Sequence, residues 1–182
     1  MKAIYLLFLL ALSAVTTHAQ SQRTKAENPE EQFQRTRELV ESRHFQIQID
    51  RVYPQNGMDV TPFNPKGEII LCDSMAEGKL PFFGRAYSLP YNGNGSIEFK
   101  APIQNQSMKT TGKKKKKRIT YRFSVPGQND FFQFSIDIAA NRNCSVSLTS
   151  HNRAHISYSG TIHPLSGEEL KQTGKRVEQP VL

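Results

Sequence analysis

The 182-residue chain has no tryptophan and only two cysteines. Two thiols are too few for a disulfide scaffold or a four-ligand zinc cluster. Beyond the N-terminus no apolar run approaches the ~20 residues of a spanning helix, so no transmembrane segment is expected in the mature chain. No glycine-rich loop sits between a strand-like and a helix-like stretch. No serine sits in a nucleophile elbow, and no pair of acids stands out. Phosphate-cradling and nucleophilic chemistries therefore lack sequence support, and no cofactor is expected.

What is present begins with an export pattern. Lys2 supplies a basic start, Ala3 to Val15 is continuously apolar, and Thr17-His18-Ala19 offers the small residues that a signal peptidase reads. Residues 1–19 read as a signal peptide cleaved near Ala19-Gln20, which makes the mature protein periplasmic or secreted. The remaining chain, about 163 residues, suffices for one domain that buries roughly 70% of its unfolded surface. An oxidising compartment makes Cys72 and Cys144 candidates for a disulfide, with two separately buried thiols as the alternative.

Residues 20–27 are polar and read as a flexible lead. Asn28-Pro29-Glu30-Glu31 opens a helix: a capping side chain, proline at the first helical position and acids in the first turn. The helix should run to about Arg43. Its apolar stripe, Phe33, Leu39 and Val40 with Thr36 between, is too narrow to form a core alone.

From Phe45 the period becomes two. Strands are expected at Phe45–Asp50, Glu68–Cys72, Leu80–Tyr87 and Ile97–Ile103, with a short extended segment near Met58 to Val60 and a turn at Asn92 to Gly95. Four more follow in regular alternation at Ile119–Val125, Phe132–Ile138, Cys144–Leu148 and Ile156–Ile162. Short connections make successive strands antiparallel. The expected fold is mainly β (α+β): an N-terminal helix and a meander of about eight strands, a strongly curved sheet or up-and-down barrel over residues 28–164. Residues 165–182 read as a polar tail.

Charge is concentrated. The formal net charge of +8 falls by one when Lys2 leaves with the leader, and six consecutive cations make up most of the remainder: Lys113, Lys114, Lys115, Lys116, Lys117 and Arg118. As a hairpin tip this run is a solvated turn that discourages edge pairing, or a contact for anionic lipid or glycan. No aromatics interleave the lysines, so nucleic acid is not an expected partner.

Arg85 is the one charge in an otherwise apolar stretch. It points to solvent or pairs with an acid, with Tyr87 and Tyr91 packing the sheet end; if the segment lines a cavity, it holds a carboxylate or phosphate, with Tyr87 and Tyr91 flanking the ligand. His151, His155 and His163 lie near a turn without a paired carboxylate and read as surface histidines, so no metal site is expected.

The stretch Pro81 to Phe99 (PFFGRAYSLPYNGNGSIEF) resembles a signature of small exported Bacteroidetes proteins, the family called domain of unknown function 4251. A helix ending in LVESRHFQIQID, a lysine-rich hairpin and a closing CSVSLTSHNRAHISYSGTI match as well, so the similarity spans roughly Glu31 to Pro164. The resemblance implies an envelope location and supports the helix-then-sheet order, and it transfers no catalytic residues. In that setting Asp73-Ser74-Met75 looks like a Bacteroidetes O-glycosylation site at Ser74.

The leading expectation is a non-enzymatic binding domain for a small apolar or amphipathic ligand, or for an envelope protein. A cavity lined by Phe83, Phe99, Phe123 and Phe134 would favour it. The alternatives are a hydrolase of envelope material using Arg85, Tyr87 and His155, and a structural protein that pairs through a sheet edge.

Overall fold

The computed structural model describes residues 28–55, 67–87, 96–113, 116–127 and 130–166. The leader, the segment near Met58, the turn at Asn92 to Gly95 and the tail beyond 166 lie outside the described residues.

Helix α1 (Pro29–Ser42) starts as its sequence dictates: Asn28 Oδ1 accepts the Glu30 N–H at 3.1 Å, and Pro29 occupies the first turn. It ends at Arg43, a left-handed residue (φ 57°) whose N–H donates to the Val40 carbonyl. Phe33, Thr36 and Val40 are buried, the narrow stripe read from the sequence.

Among the described residues nine strands follow: β1 (His44–Pro54), β2 (Gly67–Cys72), β3 (Met75–Leu80), β4 (Ile97–Pro102), β5 (Gln104–Thr111), β6 (Arg118–Gly127), β7 (Asp130–Ala139), β8 (Asn143–Ser150) and β9 (Ile156–Pro164). They form one antiparallel sheet in the order β4-β3-β2-β1-β9-β8-β7-β6-β5. Two meanders thus join where the first strand pairs with the last. Contacts of β4 with β6 bring the two flanks together, so the sheet is a nearly closed barrel.

Its interior is filled by rings. Phe45, Tyr121, Phe123, Phe134, Phe99 and Phe132 form a continuous column with centroid spacings of 6.3, 5.6, 4.9, 5.2 and 6.0 Å in turn. Such offset and tilted contacts add to the burial of each ring. Phe99, Phe123 and Phe134, expected around a cavity, therefore pack against one another. Burial pushes the Tyr121 hydroxyl up to about 12.

The barrel has two unlike ends. At one, α1 lies against the start of β1 and the β7–β8 turn, where Thr36 Oγ1 donates to the Ala140 carbonyl at 2.7 Å. Lys117 Nζ reaches Glu30 Oε1 at 2.6 Å and sits 5.4 Å from the centroid of the Phe33 ring. Leu165, placed in the tail by the sequence, is buried here and its N–H donates to the His44 carbonyl.

Three local features depart from the sequence expectation. The strand assigned to Leu80–Tyr87 lies one element earlier, at Met75–Leu80, because its inward residues Ala76 and Gly78 are too small to announce a face. Strand β5 went unrecognised because it has no apolar alternation: seven of its eight residues are exposed and it pairs with β6 alone. In β1 a bulge between Ile49 and Arg51 reverses the phase, so Phe45, Ile47 and Ile49 face inward before it and Val52 and Pro54 after it. Opposite the bulge Gly160 is required, since any Cβ there would collide with the Gln48 carbonyl.

Candidate functional site

The other end of the barrel holds the residues the sequence singled out. After β3 the chain leaves the sheet at Pro81 and runs as a strap to Tyr87. It reaches the β8–β9 connection, although β2 and β1 stand between β3 and β9 in the sheet, and so crosses the barrel mouth. The backbone fastens there through two hydrogen bonds. The Tyr87 N–H donates to the Asn152 carbonyl at 2.8 Å and the Ala154 N–H donates to the Arg85 carbonyl at 2.9 Å, together making an antiparallel bridge of Ala86 with Arg153. A side chain adds a third: the buried Tyr158 hydroxyl donates to the Pro81 carbonyl at 2.9 Å. Burial pushes that phenol well above the usual tyrosine range.

Under the strap lies a charged anchor. Arg153 and Asp130 are nearly inaccessible and approach to 3.8 Å, Nε to Oδ2. Asp130 also accepts from the Ser150 hydroxyl at 2.7 Å and the Phe131 N–H at 2.8 Å. The Arg153 guanidinium sits 5.2 Å from the centroid of the Phe82 ring, tying the strap's apolar side to this pair. Removing either charge would strand the other in a buried place.

On its outer side the strap opens a cleft of about 570 Å³ bordered by Pro54, Gln55, Phe83, Gly84, Arg85, Tyr87 and Ala154. Arg85 and Tyr87 border this same cleft, and Tyr87 is 67% exposed. Among the described residues no carboxylate pairs with Arg85. Phe83, half-buried, joins the cleft instead of the aromatic column. Tyr91 lies outside the described residues.

The other singled-out residues lie elsewhere. Lys113, Lys116 and Arg118 are exposed around the β5–β6 connection, Lys117 is turned toward α1, and Lys114 and Lys115 lie outside the described residues. Cys72 and Cys144 are both free thiols. They occupy opposite faces of the sheet, Cys144 inside and Cys72 with the outward set of β2, and β1 and β9 separate their strands. Burial pushes the Cys144 thiol up to about 12 and raises that of Cys72. Neither is therefore an activated nucleophile. His155 meets only the hydroxyls of Ser157 and Ser147, at 3.3 and 3.5 Å, and no carboxylate orients it among the described residues. Ser74 is exposed in the β2–β3 turn.

Comparison with known proteins fits this architecture. The family model described as "Domain of unknown function (DUF4251)" matches residues 27–162. The chain belongs to this family. A search of curated proteins finds no match. Among solved structures, the crystal structure of a DUF4251 family protein from Bacteroides eggerthii DSM 20697 is similar, with 18% identity and a TM-score of 0.53 over 78% of this chain and 93% of that one. At that identity the likeness concerns the fold. The strap and its arginine belong to the matched region, and the family brings no activity to assign to them.

Proposed function

We propose that this DUF4251 protein is an exported, non-enzymatic binding domain whose ligand occupies the cleft beside the strap. The observation that carries the reading is the placement of Arg85: a guanidinium without a carboxylate partner among the described residues, on the same wall as Phe83 and Tyr87. That composition suits an amphipathic anion, with a carboxylate or phosphate on the arginine and an apolar body along the aromatic rings. The cleft volume lies within the ordinary range for small-molecule sites. A hydrolase reading has less support, because among the described residues no acid orients His155, and it does not border the cleft. Residues 1–19 and the family resemblance favour the periplasm or the exterior. In that location the exposed Lys113, Lys116 and Arg118 are suited to touching anionic head groups or glycans.

The test is calorimetric titration of the protein with a medium-chain carboxylate and with the alcohol of equal length. The carboxylate should bind and the alcohol should bind at least tenfold more weakly. Arg85→Ala should abolish the difference while leaving the thermal midpoint nearly unchanged. Equal affinity for the two probes, or an Arg85→Ala protein that still discriminates, would overturn the assignment.

A further inference from the structure

A second site lies at the helix-capped end, assembled by strand register. Strand β1 begins at His44 and β2 ends at Cys72, and the antiparallel pairing sets these two residues directly opposite each other. Opposed residues project to the same face with their Cβ atoms about 5 Å apart. Asp73 follows in the β2–β3 turn, held at φ 55°, a left-handed conformation that aspartate tolerates better than most residues. Its N–H donates to the Arg43 carbonyl at 3.2 Å, while the His44 N–H donates to Ser42 Oγ at 3.2 Å. The end of α1 thus fixes the backbone of both.

The side chains converge. His44 Nε2 lies 3.2 Å from Asp73 Oδ1, and Cys72 Sγ completes a set whose ligand atoms are all within 4.8 Å of one another. A tetrahedral zinc ion with usual bond lengths needs nitrogen, oxygen and sulfur about 3.3–3.6 Å apart, a spacing that small side-chain rotations reach here. An imidazole, a thiolate and a carboxylate together are a borderline-soft set that suits zinc-class ions over magnesium or calcium. His44 and Cys72 are half-buried and Asp73 is open to solvent, which leaves an approach for the ion.

We infer that His44, Cys72 and Asp73 bind a zinc-class divalent cation through three protein ligands, with the fourth tetrahedral position open to water or to a donor from a partner. Cys72 ligates as the thiolate and its proton passes to solvent. The site is independent of the cleft: one lies on the β2–β3 turn beside α1, the other at the opposite mouth.

Cobalt(II) serves as the probe, because a bound thiolate gives a charge-transfer absorption in the near ultraviolet and a tetrahedral site gives intense visible bands. The reduced full chain should bind one cobalt ion with both signatures, and zinc should displace it. Cys72→Ser should lose the charge-transfer band even though Cys144 remains, and His44→Ala and Asp73→Asn should each weaken binding at least tenfold. Asp73→Asn keeps the tolerance for a left-handed backbone, so it reads ligation even if another variant folds poorly. The inference fails if the unsubstituted protein shows no charge-transfer band, if Cys72→Ser retains it, or if His44→Ala and Asp73→Asn bind cobalt as tightly as the parent. The last outcome would leave His44 and Asp73 as a surface ion pair.

Discussion

One barrel carries two kinds of closure. At the first end a helix satisfies its own backbone, so it can be docked by an apolar stripe and a single hydroxyl-to-carbonyl bond from Thr36. At the second end the extended strap takes its partners from the β8–β9 connection and from Tyr158, with Phe82 and Phe83 packed against the core and Gly84, Arg85 and Tyr87 exposed. Each closure leaves a cleft, about 300 Å³ between α1 and the β7–β8 turn and about 570 Å³ beside the strap. The ligand site is assigned to the strapped mouth because its cleft is the roomier and sets aromatic rings beside an arginine.

The aromatic column serves both ends, so breaking it should have the largest effect. Phe134, 2% exposed, stacked on Phe123 and tilted against Phe99, should cost about 3–5 kcal/mol when replaced by alanine. Urea unfolding measures this, and a loss below about 1 kcal/mol would mean that the rings enclose slack space instead of supporting one another. Calorimetric and spectroscopic midpoints should fall together, because neither closure keeps its footing without the column.

How far this contrast could be read beforehand depends on which residues carried a signal. Helix α1 was legible because Asn28 and Pro29 begin it and Phe33, Leu39 and Val40 mark its face. Strands β6 to β9 were legible because large apolar residues alternate along them. Strand β3 was displaced because Ala76 and Gly78 fill the inward positions, and β5 was missed because a polar edge strand buries nothing. For the cleft, Arg85 and Tyr87 stood out as oddities in an apolar run, but that they share one wall follows from the strap's hydrogen bonds to residues nearly seventy positions later. The triad of His44, Cys72 and Asp73 gave no signal at all. Ligand motifs are recognised by spacing along the chain, and this one is created across a pair of strands.

The two hydroxyl bonds allow the ends to be compared directly. Tyr158→Phe frees the Pro81 carbonyl at the strap, and Thr36→Val frees the Ala140 carbonyl at the helix. Each should cost about 1–2 kcal/mol, since a carbonyl in a poorly hydrated place loses its donor. The consequences should differ in extent. In amide hydrogen exchange, Tyr158→Phe should speed exchange at Tyr87 and Ala154 and leave α1 unchanged, because the strap opens as a local unit. Thr36→Val should raise exchange along α1 and spare the strap. If either substitution loosened both ends equally, the closures would be one cooperative unit and the contrast drawn above would fail.

The smallest effect concerns the link between the basic hairpin and the helix. The hydrogen bond from Lys117 holds the Glu30 carboxyl below its ordinary value of 4.5, with a further contribution from Gln34. A carboxyl whose value is lowered by folding stabilises the native state above its unfolded value, and that contribution disappears as the pH falls through the folded value. Both partners meet solvent, so salt screens the pair and its effect on global stability should be slight. The readable quantity is local. In an NMR titration the Glu30 midpoint should lie below 4.5 in the parent and rise toward it in Lys117→Met. A midpoint indifferent to Lys117 would mean that the hairpin does not rest on α1 in solution. That outcome would return Lys117 to the exposed cations of the hairpin, and leave the helical end to its apolar stripe, Thr36 and the backbone bond from Asp73 to Arg43.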